Sequence, residues 1–329
     1  MNFRPKHIIH PRQFDLVYLH ELFDLTDKVR SFSKSKEGLQ FLSNLLPHKR
    51  AMLYFTQPST RTFLSFQSAC SILGMKTSEV RDTSVSSEKK GESVEDSLRT
   101  FSSYVDLIIM RSPLAGLCHK IASLLDETSR PVPVINAGSG PDTHPTQALL
   151  DIYTLHRSFS NRGGISGKTI CMVGDLKRGR TVRSLCELLM LFKDVKLILT
   201  APKTFQILDD LRGKLINSPN ISFVENENFN DAVSQADAVY MTRMQDEYSS
   251  PEEDSFTNID QFSFTEKHLE LMKEDGIILH PMPRREELDP RVDKDPRALY
   301  WRQERNGMWV RVALILKIFG MEKKGLFSL

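Results

Sequence analysis

Two hydroxyl residues, a guanidinium and a third hydroxyl stand in line at Ser59-Thr60-Arg61-Thr62, after Pro58. They fall between an apolar run ending at Phe55 and a helix-like segment opening near Phe63. A helix N-terminus offers free backbone N–H groups and the positive end of its dipole, and an Arg fork adds a bidentate donor, so this string suits a bound phosphate. The bland alternative is an ordinary N-cap with a surface Arg, because Ser and Thr are common caps. Met110-Arg111 ends a second apolar run, and His144-Pro145-Thr146-Gln147 opens a helix with His144 and Gln147 one turn apart. A neutral imidazole there can donate to a carbonyl oxygen as negative charge develops on it. Taken singly, an Arg after a strand is usually solvated and a lone His is usually structural. Lys177-Arg178-Gly179-Arg180 could bind a carboxylate or, as a bare basic patch, nucleic acid. His280-Pro281-Met282-Pro283 reads as a rigid strand exit whose backbone carbonyls can accept hydrogen bonds. Ser86–Glu92 is polar and helix-poor, which predicts a mobile, solvated loop.

The elements that must position these residues follow from the apolar pattern. Strand-like runs are Ala51–Phe55, Val105–Met110, Val132–Ala137, Thr169–Gly174, Val195–Thr200, Ile221–Val224, Ala238–Met241 and Gly276–His280. Between them lie amphipathic segments such as Phe63–Leu73, Val94–Tyr104, Leu117–Leu125, Gln147–His156, Thr181–Phe192 and Glu266–Lys273. Short strands alternating with longer helices predict parallel sheets covered on both faces. Arg157–Gly167 is polar, glycine-rich and hinge-like, and the alternation restarts at Lys168. The expected class is therefore α/β, with two open, doubly wound parallel-sheet domains and the site in the cleft between them. Met308–Phe319 is apolar at helical spacing and must pack against something; it is expected to return to the first domain.

At 329 residues the chain suits two domains. Its 44 Lys and Arg against 42 Asp and Glu leave a net charge of +2, which disfavours a general nucleic-acid binder. Cys70, Cys118, Cys171 and Cys186 are scattered through apolar runs and read as buried thiols in a reducing compartment. The polar N-terminus does not read as a signal peptide, and no run is long enough for a membrane span, so a cytoplasmic protein is expected. A Gly-rich dinucleotide fingerprint and a His/Cys ligand cluster are both missing, so no cofactor and no metal are expected.

Pro58–Thr62 resembles the carbamoyl-phosphate signature of the aspartate/ornithine transcarbamoylase family, and further family motifs follow in order. They are Ser86-Ser87-Glu88-Lys89-Lys90-Gly91-Glu92, Met110-Arg111, His144–Gln147, Gly174–Val182, Thr242-Arg243-Met244-Gln245 and His280–Arg284. The resemblance spans roughly Gln13 to Gly320. It implies transfer of a carbamoyl group from carbamoyl phosphate to the amine of L-aspartate, a step of de novo pyrimidine biosynthesis. It implies that Thr62, Arg111 and His144 stabilise the oxyanion and that Gln147 contacts the carbamoyl amide. Ser59, Thr60 and Arg61 join the phosphate site, while the Pro281 and Met282 carbonyls take the carbamoyl NH₂. Arg180 resembles the clamp on the aspartate α-carboxylate, with Thr181 beside it; Arg243 and Gln245 match the contacts to its side-chain carboxylate. Ser86 and Lys90 match residues that reach into a neighbouring subunit's site, which implies a homotrimer with shared sites. The implied division is a carbamoyl-phosphate-binding domain over 1–157, with 307–329 packing back onto it, and an aspartate-binding domain over 158–306.

Ornithine-type relatives carry an H-C-L-P loop where this chain has His280-Pro281-Met282-Pro283, so a cationic acceptor fits less well. The chain departs from the family at Gln57, where a glutamate is usual, and at Tyr248, where an arginine is usual. Both charges of a pair that supports closure are absent together, so Gln57→Glu alone is expected to leave aspartate affinity unimproved. Asp246 and Ser139–Thr143 also depart, near the site rather than on a named ligand. Two other readings stay open: a transcarbamoylase for another amine, and a non-catalytic scaffold for a regulatory or dihydroorotase partner. Retention of Ser59, Arg61, Thr62, Ser86, Lys90, Arg111, His144, Arg180, Arg243 and Gln245 counts against the scaffold.

Overall fold

A computed structural model describes residues 6–82, 91–140, 143–244 and 259–323. In chain order the elements are α1 (Leu16–Phe32), α2 (Lys36–Ser43), β1 (Arg50–Phe55), α3 (Thr60–Ile72), β2 (Lys76–Val80), α4 (Val94–Ser102), β3 (Leu107–Arg111), α5 (Leu117–Asp126), β4 (Val134–Asn136) and α6 (Pro145–Phe159). Then follow β5 (Thr169–Val173), α7 (Arg180–Leu189), β6 (Val195–Thr200), α8 (Asp209–Ile216), β7 (Ile221–Glu225), α9 (Phe229–Gln235), β8 (Ala238–Met241), α10 (Glu266–Leu271), β9 (Ile277–Leu279) and α11 (Tyr300–Ile318). Tertiary contacts divide the chain into two compact units, residues 1–149 with 307–329 and residues 150–306. The divisions fall inside α6 and α11.

The first unit is built on a parallel sheet in the order β2-β1-β3-β4. Met52 and Tyr54 of β1 and Ile108 and Met110 of β3 pack with Leu98 of α4 and Ile121 and Leu125 of α5. The alternate residues Ala51, Leu53 and Phe55 are buried as well. A strand covered on both faces must be apolar throughout, which is why β1 and β3 read as unbroken hydrophobic runs. β2 is different: its residues Lys76-Thr77-Ser78-Glu79 are exposed on the sheet edge. The sequence reading did not pick it out, because an exposed edge strand carries polar residues and lacks the apolar signal.

Within this unit the second half of α11 is buried on every side, from Val310 to Leu316. Its two buried cations each have a polar partner and an aromatic ring beside them. Arg311 Nη1 donates to Ser65 Oγ at 2.7 Å and its guanidinium lies 4.9 Å from the Phe66 ring centroid. Lys317 Nζ donates to Glu21 at 2.7 Å, above the Tyr18 ring.

The second unit carries a parallel sheet in the order β7-β6-β5-β8-β9. One of its faces packs Cys171, Val173, Ile198, Val239 and Ile278 against Phe229 and Val233 of α9 and against Phe264 and Leu288. After α6 ends at Phe159, Gly163, Gly164 and Gly167 take left-handed backbone before β5 starts. All four cysteines are buried with free thiols; burial pushes those of Cys70, Cys171 and Cys186 up to about 12. Among the described residues no helix is long and apolar enough to cross a membrane.

Candidate active site

Each sheet reverses its order beside the first strand of its unit. β1 lies between β2 and β3, and β5 between β6 and β8. Loops leaving the carboxyl ends of such neighbours diverge, and ligands of open α/β sheets bind in the opening. The chemistry-bearing strings fall at these two points.

In the first unit β1 leads into α3, and β3 ends on Arg111 directly beside Phe55. The Arg111 carbonyl accepts from the backbone N–H groups of Thr56 at 2.9 Å and Gln57 at 3.3 Å. The loop entering α3 is thereby laced to the strand end that bears the guanidinium. Ser59 occupies the N-cap position, yet its side chain makes no capping bond. The ordinary-cap alternative lacks its defining contact, and the first turn of α3 keeps the N–H groups that no helix can satisfy internally. Thr62 is buried in that turn, Ser59 is half-buried, and Thr60 and Arg61 are exposed.

Arg111 and His144 are both buried and converge on one point. Arg111 Nη1 donates to the Ala137 carbonyl at 3.2 Å. His144 immediately precedes α6, whose first residue, Pro145, suits a position where the backbone N–H has no helical partner. The His144 carbonyl accepts from the Gln147 N–H at 3.0 Å, and Gln147 is buried one turn along. Between the two side chains sits Gly138, with φ +101°. A Cβ there would stand 2.8 Å from Arg111 Nη1, 2.9 Å from His144 Cδ2 and 3.1 Å from His144 Nε2. Both the left-handed backbone and the missing side chain are required.

Asn136 holds this turn. Its Oδ1 accepts from the Gly138 N–H at 2.8 Å and from the Ser139 hydroxyl at 3.1 Å, while its Nδ2 donates to the Ile9 carbonyl at 3.1 Å. Asn136 and Gly138 were missed as functional positions in the sequence reading. Their only sequence signal is a glycine and an amide at the end of an apolar run, which also describes many ordinary turns.

In the second unit β5 leads to α7 and β8 leads to Arg243, on adjacent strands. Gly174 has φ +112°, and a Cβ there would collide with the Thr242 carbonyl oxygen. The two strand exits therefore pass in close contact, and Thr242 fixes the approach by donating its hydroxyl to the Val173 carbonyl at 2.8 Å. The basic string divides into separate roles. Asp175, fully buried, accepts from the Arg178 N–H at 2.9 Å, and the Arg178 guanidinium lies 4.9 Å from the Phe205 ring centroid. Arg178 thus packs against the loop, whereas Arg180 and Thr181 stand half-buried in the first turn of α7. Arg243 is half-buried, with Nη1 donating to the Met244 carbonyl at 2.8 Å.

His280 leaves β9 fully buried. Its Nδ1 accepts from the Met282 N–H at 2.8 Å, which leaves Nε2 as the donor to the Glu287 carboxylate at 2.8 Å. Glu287 also accepts from the Arg285 N–H at 2.9 Å. This ring of bonds fixes Pro281-Met282, with Met282 at φ +55°, a conformation costly for a residue with a side chain. Glu287 was another residue that the sequence reading missed. Ser86, Lys90, Gln245, Asp246 and Tyr248 lie outside the described residues. Among the described residues no group of three or more His, Cys, Asp or Glu side chains could hold a metal ion.

Two open parallel sheets with basic and hydroxyl-bearing loops at their switch points define an α/β protein built to hold anionic ligands. Residues 6–157 match the family model of the aspartate/ornithine carbamoyltransferase carbamoyl-P binding domain, and residues 166–318 match that of the Asp/Orn binding domain. The chain belongs to the aspartate/ornithine carbamoyltransferase family. It is 39% identical over 321 residues to the aspartate carbamoyltransferase catalytic subunit of Clostridium novyi, covering 96% of this chain and 99% of that one. It is also 39% identical over 312 residues to the chloroplastic aspartate carbamoyltransferase of Arabidopsis thaliana, covering 94% of this chain and 76% of the relative. Among solved structures, the Trypanosoma cruzi aspartate transcarbamoylase with aspartate and phosphate superposes with a TM-score of 0.83 at 33% identity, over 95% and 96% of the chains. The catalytic subunit of M. jannaschii aspartate transcarbamoylase gives 0.82 at 34% identity, over 97% and 100%.

Proposed function

We infer that the protein transfers the carbamoyl group of carbamoyl phosphate to the amine of L-aspartate, giving N-carbamoyl-L-aspartate and phosphate in pyrimidine biosynthesis. The observation that carries this reading is the convergence of Arg111 and His144 on the Gly138 turn, at the exits of the adjacent strands β3 and β4, with β3 beside the strand that feeds α3. The reaction forms a bond between the aspartate nitrogen and the carbonyl carbon. It breaks the bond from that carbon to the bridging oxygen, whose electron pair leaves with phosphate. The attacking nitrogen must be unprotonated, and it loses its second proton as the product forms. Negative charge passes through the carbonyl oxygen, and buried donors fixed beforehand stabilise it more effectively than water can.

In this reading Ser59, Thr60, Arg61 and Thr62 bind the phosphate with the first turn of α3, and Arg111 spans phosphate and carbonyl oxygen. His144 and Thr62 donate to that oxygen, Gln147 meets the carbamoyl amide, and the Pro281 and Met282 carbonyls accept from its NH₂. Arg180, Thr181, Arg243 and Gln245 hold the two carboxylates of aspartate; a planar guanidinium fork matches each of them. Residues 1–149 with 307–329 thus carry the phosphate-binding residues, and 150–306 carry those that hold aspartate together with Pro281 and Met282. We further propose a homotrimer in which Ser86 and Lys90 complete a neighbour's site, working in the cytoplasm, where its buried free thiols are at home. Phosphate release measured with aspartate, ornithine, N-acetylornithine and putrescine tests the assignment. Release is expected with aspartate; release with ornithine and none with aspartate would overturn it.

A further inference from the structure

Asp151 lies on α6 one turn beyond Gln147 and is fully buried. A carboxylate withdrawn from water is costly unless its oxygens are hydrogen-bonded, and here both are. Oδ2 accepts from the Tyr240 hydroxyl at 2.7 Å, and Oδ1 accepts from Gln303 Nε2 at 2.7 Å. Gln303 Oε1 in turn accepts from the His280 backbone N–H at 2.9 Å. Tyr240 lies on β8, three residues before Arg243, and is paired with Met172 of β5.

The directions of these bonds are fixed by what each group can do. A backbone N–H only donates and a carboxylate only accepts, so the Gln303 amide has one allowed orientation. Burial first, and then the nearby Asp151 carboxylate, push the Tyr240 phenol well above its ordinary value, so it stays protonated. It donates to Asp151. A second bond sets the height of α11 against α6: Asn306 Nδ2 donates to Thr154 Oγ1 at 2.9 Å.

The two arms end at strand exits that the proposed function gives to different substrates. His280 stands one residue past β9, an edge strand whose last paired residue is Leu279. The Gln303 side chain therefore does there what a further strand would do elsewhere, and it sets where the Pro281-Met282 turn begins. The other arm ends on Tyr240 of β8, the strand that runs out through Thr242 to Arg243, which the proposed function gives to aspartate. We propose that Asp151 is a positioning residue for both substrates, setting the carbamoyl-facing exit after β9 through Gln303 and the aspartate-facing exit after β8 through Tyr240. The inference rests on the carbamoyl-transfer reading, because that reading assigns the two ends.

Three variants of the full-length protein test it, each with both substrates varied in turn and the melting temperature recorded. Tyr240→Phe deletes one oxygen and should raise KM for aspartate about fivefold while KM for carbamoyl phosphate stays within about twofold. Gln303→Met keeps the side-chain length and should raise KM for carbamoyl phosphate and lower kcat, each about tenfold, with KM for aspartate within about twofold. Asn306→Ala should lower the melting temperature with neither split, which separates lost positioning from lost stability. Equal shifts of both KM values in the two arm variants, or no shift in either, would overturn the proposal. If Gln303→Met does not fold, the split in Tyr240→Phe alone decides it. A parent protein that makes no carbamoyl aspartate sinks the carbamoyl-transfer reading and this inference with it; an active parent without the splits sinks the inference alone.

Discussion

Gly138 shows how little room there is at the point where Arg111 and His144 meet. Its Cβ would stand 2.8 Å from one side chain and 2.9 Å from the other, on a backbone at φ +101°. Gly138→Ala is expected to lower kcat about a hundredfold by displacing a buried donor, the scale on which single oxyanion donors act. The loss in stability should be nearer 1–2 kcal/mol, roughly the strain of one such residue. Steady-state kinetics beside a thermal melt separates the two effects. His144→Ala should cost about 10²–10³ in kcat with a smaller change in KM for carbamoyl phosphate, because its bond strengthens as charge develops. An unchanged kcat would remove His144 from the chemistry. At this scale the residues whose types are chemical, Arg111 and His144 among them, were legible in the sequence as candidates. Asn136, Gly138 and Glu287 were not, because their parts depend on what they touch rather than on what they are.

The α/β alternation places the loops, and their internal bonds give them shape. The exit after β9 depends on the His280–Glu287 pair. Burial would raise the Glu287 carboxyl, but hydrogen bonds from His280 and the Arg285 N–H bring it below its ordinary value. A carboxyl lowered in the folded state adds stability above the ordinary value of 4.5, and loses it as pH falls through the lowered one. Glu287→Gln should therefore melt lower than the parent at neutral pH, by about 2 kcal/mol for a buried charge-assisted bond. The gap should narrow as the solution is acidified below the ordinary carboxyl value. A gap independent of pH would show that the charge of Glu287 is not what matters. The buried strands were legible because burial on both faces demands unbroken apolar runs, and β5, β6 and β8 lie close to their expected spans. β2 was not legible, since an exposed edge strand has a polar sequence. The strand order was not legible either, because apolar periodicity carries no information about which strands are neighbours.

At the scale of the whole molecule, the proposed trimer makes Ser86 and Lys90 visitors in a neighbour's site. Native mass measurement should then give three chains. Mixing two inactive variants, Lys90→Ala and His144→Ala, under conditions that exchange subunits should restore activity by pairing intact halves. A fully active monomer would rule out shared sites. Family motifs made the assembly an expectation, whereas nothing in apolar periodicity or charge pointed to it. The most direct measurement of the central claim follows the carbonyl carbon of isotopically labelled carbamoyl phosphate through one reaction with aspartate. The account predicts that the label appears on the nitrogen of N-carbamoyl-L-aspartate, one for each phosphate released. Phosphate released with the label in carbon dioxide, or label transferred to ornithine and never to aspartate, would contradict it.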